Sequence, residues 1–149
     1  MKIPDVNVLI KVAYGGADQH QRAVDWMADA FEEPAGVGFA WVALLGFVRI
    51  TTRPGAFTQP MTVASALAIV DHWLAQPGAQ VVHPGPRHAG LLGRLLLTAG
   101  TAGNLTTDAH LAAIAIEHGA TMGSFDRDFR RFAGLSLDCL TEDHRNTSR

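Results

Sequence analysis

Met1-Lys2-Ile3-Pro4-Asp5-Val6-Asn7-Val8-Leu9 opens the chain and decides how the rest is read. Met1 to Pro4 is a short apolar run suited to a buried strand. Pro4 has no N–H to give to a ladder, so pairing fades there and the chain leaves the sheet. Asp5 therefore sits at the carboxyl end of a strand. Two later segments deliver an aspartate in comparable settings. Thr106-Thr107-Asp108-Ala109 places Asp108 in the first turn of a strongly helical segment. Ala120 to Phe125 reads as a strand ending at Asp126, within Ser124-Phe125-Asp126-Arg127-Asp128-Phe129. Ligands of open α/β sheets bind outside the carboxyl ends of the strands, so a parallel sheet brings Asp5, Asp108 and Asp126 to one edge. Carboxylates gathered without cations repel one another, and a hard cation such as Mg²⁺ is the usual remedy. Each aspartate alone has a plainer explanation. A lone aspartate at a strand end is commonly a turn former, and one in a helix's first turn gains about 0.3–1 kcal/mol from the helix dipole. Their convergence is what turns the reading toward a metal site.

Outward from these motifs, short apolar runs alternate with amphipathic helices, which predicts an α/β fold with a parallel sheet covered by helices. Asp18 and Gln21 resemble a capping box ahead of Ala23, Trp26, Met27, Ala30 and Phe31, which recur at helical spacing. Trp41, Leu44, Leu45 and Val48 form a second apolar stripe, interrupted by Gly46 at a cost of about 1 kcal/mol relative to alanine. Thr62 is placed to cap a helix with Val63, Ala66, Leu67, Val70, Trp73 and Leu74 along one face, and Pro77-Gly78 ends it. Val81 and Val82 suit a short buried strand. Leu91, Leu92, Leu95 and Leu96 mark a helix closing near Gly100, and Thr107 is positioned to cap the next, from Asp108 to about His118. Leu135, Leu137 and Cys139 alternate as a last strand. Residues 1–141 thus form one domain, and 142–149 read as a disordered tail.

A chain of 149 residues is long enough to bury a core without staples, and 48% hydrophobic with 17% charged residues argues against disorder. No run reaches the length of a membrane span, and Lys2, Pro4 and Asp5 stand where an export signal needs an apolar core. A cytoplasmic location is the expectation. Cys139 is the only cysteine, which excludes an internal disulfide, and is expected in the core. The net charge of -2 gives no global attraction for nucleic acid, so any such partner must be held locally. Arg127, Arg130 and Arg131 beside Asp126, with Arg49 and Arg53, are the candidates; a solvated helix surface explains each group equally well. The histidines lack any paired zinc-ligand spacing, and His110 points away from the helix face that carries Asp108.

These motifs resemble the PIN-domain family, in particular the VapC-type toxin ribonucleases of bacterial type II toxin–antitoxin systems, in a form common in mycobacteria. The resemblance runs over nearly the whole chain. It is carried by Asp5-Val6-Asn7-Val8-Leu9-Ile10, Leu45-Gly46-Phe47-Val48-Arg49, Thr107-Asp108-Ala109-His110-Leu111-Ala112 and Ser124-Phe125-Asp126-Arg127-Asp128-Phe129, by their order and spacing together. It implies a PIN-like, Rossmann-like α/β/α sandwich with a central, mainly parallel sheet. It further implies Mg²⁺ or Mn²⁺ held by Asp5, Asp108 and Asp126 with help from Asp128, and hydrolysis of RNA with Asp5, Asp108 and Asp126 as the catalytic residues. Arg49 and Arg127 are the candidate RNA contacts, and for Arg49 a salt bridge to the aspartates is an equal alternative. Asn7 and Ser124 can hydrogen-bond the carboxylates or the water, although Asn7 suits a turn at least as well. The resemblance also implies a homodimer and a VapB-like antitoxin, whose helix Trp26 and Phe31 help to receive. Where many members carry glutamate this chain has Gly46, which motivates a rival reading as a PIN-like RNA- or protein-binding module without strong catalysis. A phosphoryl-transfer domain with an aspartyl nucleophile is disfavoured by Asn7, which stands where an Asp-x-Asp pair would place its second acid.

Overall fold

The computed structural model describes residues 1–141; the expected disordered tail, 142–149, lies outside the described residues. Five parallel strands form one sheet in the order β3-β2-β1-β4-β5: β1 Lys2–Pro4, β2 Val37–Ala40, β3 Ala79–Val82, β4 Thr121–Ser124 and β5 Ser136–Cys139. The α/β/α architecture follows from the alternation of short apolar runs and helices. Helices α1 (Val6–Ala13), α2 (His20–Glu32), α3 (Trp41–Thr52) and α4 (Val63–Leu74) supply one core, with Val8, Leu9, Met27, Leu44, Phe47 and Trp73 packed against Val37 and Phe39. Helices α5 (His88–Ala99) and α6 (Thr106–Glu117) supply the other, where Leu95, Leu111 and Ile114 meet Ile3, Ala40 and Met122. Phe39 and Ala40 thus belong to opposite cores, the period of two expected of a strand covered on both faces.

This strand order places the functional edge. From central β1 the chain winds outward through β2 to β3, then returns to place β4 on the other side of β1. The order reverses between β1 and β4, which opens a crevice at their carboxyl ends. Pro4 pairs with Gly123, and the Asp5 amide donates to the Gly123 carbonyl at 2.9 Å, so pairing stops where the proline predicts. Gly123 has a second reason to lack a side chain. The Trp26 ring lies where its Cβ would stand.

Several local expectations change. No Asp18–Gln21 capping box forms. The chain enters α2 through Gln19 with φ 62°, while Gln21 donates to Asp25 one turn on. Thr107 is not a cap either, because a 3₁₀ turn at Gly103–Leu105 leads directly into α6 and puts Thr107 inside its first turn. Thr62 does cap α4, accepting from the Ser65 amide at 3.1 Å. Neither long apolar stripe is wholly buried: Trp41 and Leu45 on α3, and Val63 and Leu67 on α4, are exposed, while Leu44, Phe47, Ala66, Val70 and Trp73 fill the core. Val81 is only half-buried, since β3 is an edge strand. Cys139 is half-buried on the other edge, β5, with its Sγ 3.2 Å from the Thr141 hydroxyl, rather than in the core.

Candidate active site

Asp5 stands between β1 and α1 as the N-cap of α1, with its Oδ1 accepting from the Val6 amide at 2.7 Å. Its other oxygen, Oδ2, accepts from the buried Ser124 hydroxyl at 2.8 Å. Ser124 in turn accepts from Asn7 Nδ2 at 3.2 Å and from the Asp126 amide at 3.0 Å. Asn7 closes the circuit by accepting from the Phe125 amide at 3.1 Å. Asn7 is therefore no turn residue. It lies in the first turn of α1 and clamps that helix to the end of β4, fixing the two strand ends that carry Asp5 and Asp126.

Asp108 reaches the same edge from the first turn of α6. With Asp5, Val6, Gly46, Arg49, Ile50, Thr107 and Leu111 it lines a narrow cleft of about 60 Å³. Asp126 caps the 3₁₀ turn Arg127–Arg131 by accepting from the Asp128 amide at 2.8 Å. The charges reveal how closely these acids share one space. Burial, followed by the negative charges of Asp5, Asp126 and Asp128, pushes the Asp108 carboxyl from its ordinary 3.8 up to about 6. Asp5 is also raised, first by burial and in smaller part by Asp126, against the hydrogen bonds from Ser124 and Val6. Among the described residues, no three His, Cys, Asp or Glu side chains stand as a preassembled metal-ligand group. The donor set nevertheless consists of carboxylate oxygens alone, which suits a hard cation that keeps several waters and takes only one or two protein carboxylates.

Arg49 is exposed and lines the carboxylate cleft one helical turn from Gly46. Gly46 lies where α3 crosses α1. A Cβ there would stand 3.1 Å from Val6 Cγ2, so the missing side chain permits close helix packing. Arg127 is exposed beside Asp126, and its Nε donates to Thr141 at 3.2 Å. Arg131 pairs with Asp128 at 3.8 Å. Trp26 and Phe31 do not share a groove. Trp26 donates to Asp138 at 2.9 Å and borders a cleft of about 640 Å³ with Phe129, Phe132 and Leu137, whereas Phe31 packs near Phe39.

One buried polar group was not foreseen. Glu117 Oε1 accepts from the Gly85 amide at 3.1 Å and meets His88 Nδ1 at 3.0 Å, while His88 Nε2 lies 2.8 Å from His110 Nδ1. His110 does turn from the Asp108 face, as helical spacing requires, but into this chain of side chains that ties α6 to the start of α5. Its members are 22 and 29 residues from His88. Helical spacing can show only which way His110 points, not what awaits it there.

The match to known proteins covers the same elements. Residues 2–135 match the PIN domain model. The ribonuclease VapC37 of Mycobacterium tuberculosis is 45% identical over 138 residues, which span 93% of this chain and 96% of that protein. The ribonuclease VapC33 of the same organism is 42% identical over 91% of this chain and 94% of that protein. In three dimensions the fold superposes on a chain from the crystal structure of Rickettsia felis VapBC2 bound to a promoter DNA fragment. That match has a TM-score of 0.64 at 15% identity, and covers 92% of this chain and 96% of that one. A parallel sheet with its acids at the β1–β4 switch point, and identity at this level over nearly full length, lead to one conclusion: the chain belongs to the PIN-domain family, in its branch of VapC ribonucleases.

Proposed function

We propose that this protein is a Mg²⁺- or Mn²⁺-dependent endoribonuclease acting as the toxin of a type II toxin–antitoxin pair. The observation that carries the reading is the shared cleft of Asp5 and Asp108 at the switch point, where burial and then the charges of Asp5, Asp126 and Asp128 raise the Asp108 carboxyl to about 6. Such a site is short of positive charge. Asp5, Asp108 and Asp126 are the residues that would hold the cation, with Asp128 at the rim. When bound, a divalent cation supplies Lewis acidity to a phosphodiester and lowers the pKa of a water.

The chain's own groups do the rest. Ser124 and Asn7 hold Asp5 in one orientation, so its free lone pairs are aimed before substrate arrives. Whichever of the three acids is left unligated orients the attacking water and takes its proton. Arg49, at the cleft's edge, holds a phosphate, and Arg127 flanks Asp126 as a second contact. The antitoxin, a VapB-like protein, covers this edge and sets a basic side chain among the aspartates. The exposed Trp41, Leu45, Val63 and Leu67 supply apolar surface for a homodimer. No helix among the described residues is long and apolar enough to cross a membrane. The second reading, an RNA- or protein-binding module with weak catalysis, is favoured by Gly46, which lines the cleft without a carboxylate.

Cleavage of total cellular RNA separates the two readings. Wild type cuts with Mg²⁺ or Mn²⁺ and not in chelator, and Asp108→Ala or Asp5→Ala lowers the rate by about 10²–10⁴-fold with an unchanged circular dichroism spectrum. Undiminished cutting by Asp108→Ala in chelator rules out the metal mechanism. No cutting by metal-replete wild type leaves the binding module.

A further inference from the structure

Away from the carboxylates, Tyr14 and Phe57 stack with ring centroids 4.3 Å apart and planes 13° from parallel. They border a cleft of about 410 Å³ that Gly16, Ala17, Thr58 and Gln59 complete. The Tyr14 hydroxyl is buried and, among the described residues, is the one side-chain polar atom so buried that lacks a hydrogen-bond partner. A buried hydroxyl without a partner is uncommon enough to need a reason. Neither ring is needed by the mechanism above.

The placement of this pair relative to the active edge supplies a function. Helices α1 and α3 both start at the carboxyl edge of the sheet, and Val6 at the start of α1 packs on Gly46 in the middle of α3. Tyr14 follows the end of α1 and Phe57 follows the end of α3, so their stack bridges the far ends of the same helix pair. The eight-residue helix α1 separates Asp5 from Tyr14, roughly 13 Å over nine steps at about 1.5 Å each. Toward the end of α3 the interval carries cations: Arg49 at the carboxylate cleft and, four residues on, Arg53 as the extended residue that ends the helix, both exposed. Carboxylates, two arginines and an aromatic pair thus follow one another along the packed α1–α3 pair. Single-stranded nucleic acid takes such a path because cations track its phosphates while its bases stack on aromatic faces.

We infer that the Tyr14–Phe57 cleft is a subsite for an unpaired nucleobase of the RNA, displaced along the strand from the scissile phosphate, with Arg53 on the intervening backbone. The inference rests on the ribonuclease reading and extends it from the cutting edge to the substrate's flank. Thr58 and Gln59 at the cleft offer hydrogen-bonding groups to the edge of the stacked base. A base paired in a duplex cannot enter, because stacking on protein requires it to leave its own stack.

The test uses fluorescein-labelled oligoadenylate and an abasic ribose-phosphate chain of equal length, bound to the full-length protein in Ca²⁺ and followed by anisotropy. Wild type prefers the oligoadenylate. Phe57→Ala weakens oligoadenylate binding roughly 5- to 100-fold and leaves the abasic chain unchanged. Phe57→Trp keeps the preference, which separates lost stacking from a collapsed loop, and Arg53→Ala weakens both chains alike. Equal affinities of Phe57→Ala and wild type for oligoadenylate overturn the subsite, as does an equal loss on both chains. Loss of a protein partner with RNA binding intact assigns the cleft to that partner and overturns it as well. Total-RNA cleavage by wild type runs in parallel. If wild type cuts while Phe57→Ala binds normally, only the subsite falls; if wild type neither cuts nor binds, the ribonuclease reading falls with it.

Discussion

Asp108 and Glu117 lie at opposite ends of α6, and both are half-buried carboxylates, yet their proton affinities move in opposite directions. At Asp108, burial and the charges of Asp5, Asp126 and Asp128 act together, and the carboxyl rises to about 6. At Glu117 burial also favours the proton, but the Gly85 amide, His88 and Arg87 outweigh it and hold the carboxyl below its ordinary value. The Glu117 end is paired within the chain: Glu117 Oε1 takes the Gly85 amide and meets His88, and His88 meets His110. The Asp108 end is incomplete: Asp5 and Asp126 are held by hydrogen bonds, and among the described residues no cation offsets their charges and that of Asp108. A completed group reports stability, and an incomplete one reports a ligand.

The largest effect that can break this contrast comes from removing each carboxylate in turn. Glu117→Ala leaves the Gly85 amide and His88 Nδ1 without their acceptor, so the metal-free protein should lose about 1–3 kcal/mol of stability. Asp108→Ala should lose little or gain, because it relieves repulsion. Adding Mg²⁺ at a hundredfold excess over its dissociation constant should then restore about 2.7 kcal/mol to wild type and to Glu117→Ala alike, with almost nothing for Asp108→Ala. Urea unfolding with and without Mg²⁺ measures all three. Equal metal stabilisation of Asp108→Ala would show that the two ends of α6 do not differ in the way proposed.

The unequal legibility of these two ends in the sequence has the same physical origin. Asp5, Asp108 and Asp126 each announce themselves locally, through a proline-ended strand, a helix's first turn and a strand's end, and parallel topology does the rest. Asn7 and Ser124 were visible as polar residues near acids, but the bond between them spans 117 residues, and only the register of β1 against β4 brings it about. Glu117, His88 and His110 carry no local mark, since each is an ordinary helix-surface residue until α5 packs on α6. The capping expectations at Asp18 and Thr107 failed for a related reason. The preceding turn chose where each helix began, and a 3₁₀ turn at Gly103–Leu105 or a left-handed Gln19 is a tertiary outcome as much as a local one.

A smaller effect sharpens the contrast by disturbing the support around Asp5 rather than the acids. Ser124→Ala removes the donor to Asp5 and the acceptor for Asn7 and the Asp126 amide, so Mn²⁺ affinity should fall about 10–100-fold. Ser124→Thr keeps the hydroxyl and should retain most of it. Calorimetric titration of both variants is the check, and an Ala variant that binds like wild type would mean that Asp5 needs no such orientation.

The pH dependence gives opposite signs at the two ends. Asp108 has a folded-state pKa above its ordinary 3.8, so the folded, metal-free protein binds the extra proton between about 4 and 6. Its contribution to stability is therefore present at low pH and is lost as pH rises through about 6. Glu117 is held below its ordinary 4.5, so its contribution is present above that value and is lost as pH falls through the depressed one. Metal binding displaces the Asp108 proton, and Mn²⁺ affinity should drop by up to about tenfold per unit below pH 6. Replacing Asp108 by Asn should flatten the stability profile between pH 4 and 6. An unchanged profile in Asp108→Asn would place the raised proton affinity elsewhere.

The smallest effect is expected at Gly46, which lines the cleft and brings no carboxylate to it. A new Cβ would stand 3.1 Å from Val6 Cγ2, which must yield by a few tenths of an ångström. Val6 is half-buried, but a helical valine is stiff at χ1, so the yielding falls largely to the contact between α1 and α3. Against that strain, leaving glycine in a helix interior gains up to about 1 kcal/mol. The two nearly cancel, and Gly46→Ala should unfold within about 1 kcal/mol of wild type. Gly46→Glu adds to this a further acid beside Asp5 and Asp108 in the cleft that Gly46 lines. It deepens the charge deficit, so Mn²⁺ affinity should rise by up to about tenfold, since ligand charge count sets such affinities. Cleavage need not follow affinity, because the longer side chain also occupies space that RNA would enter. Calorimetry on Gly46→Ala and Gly46→Glu separates packing from charge. Equal Mn²⁺ affinities in two well-folded variants would show that the side chain at 46 turns along α1 rather than toward the aspartates, and the middle motif would then serve helix packing alone.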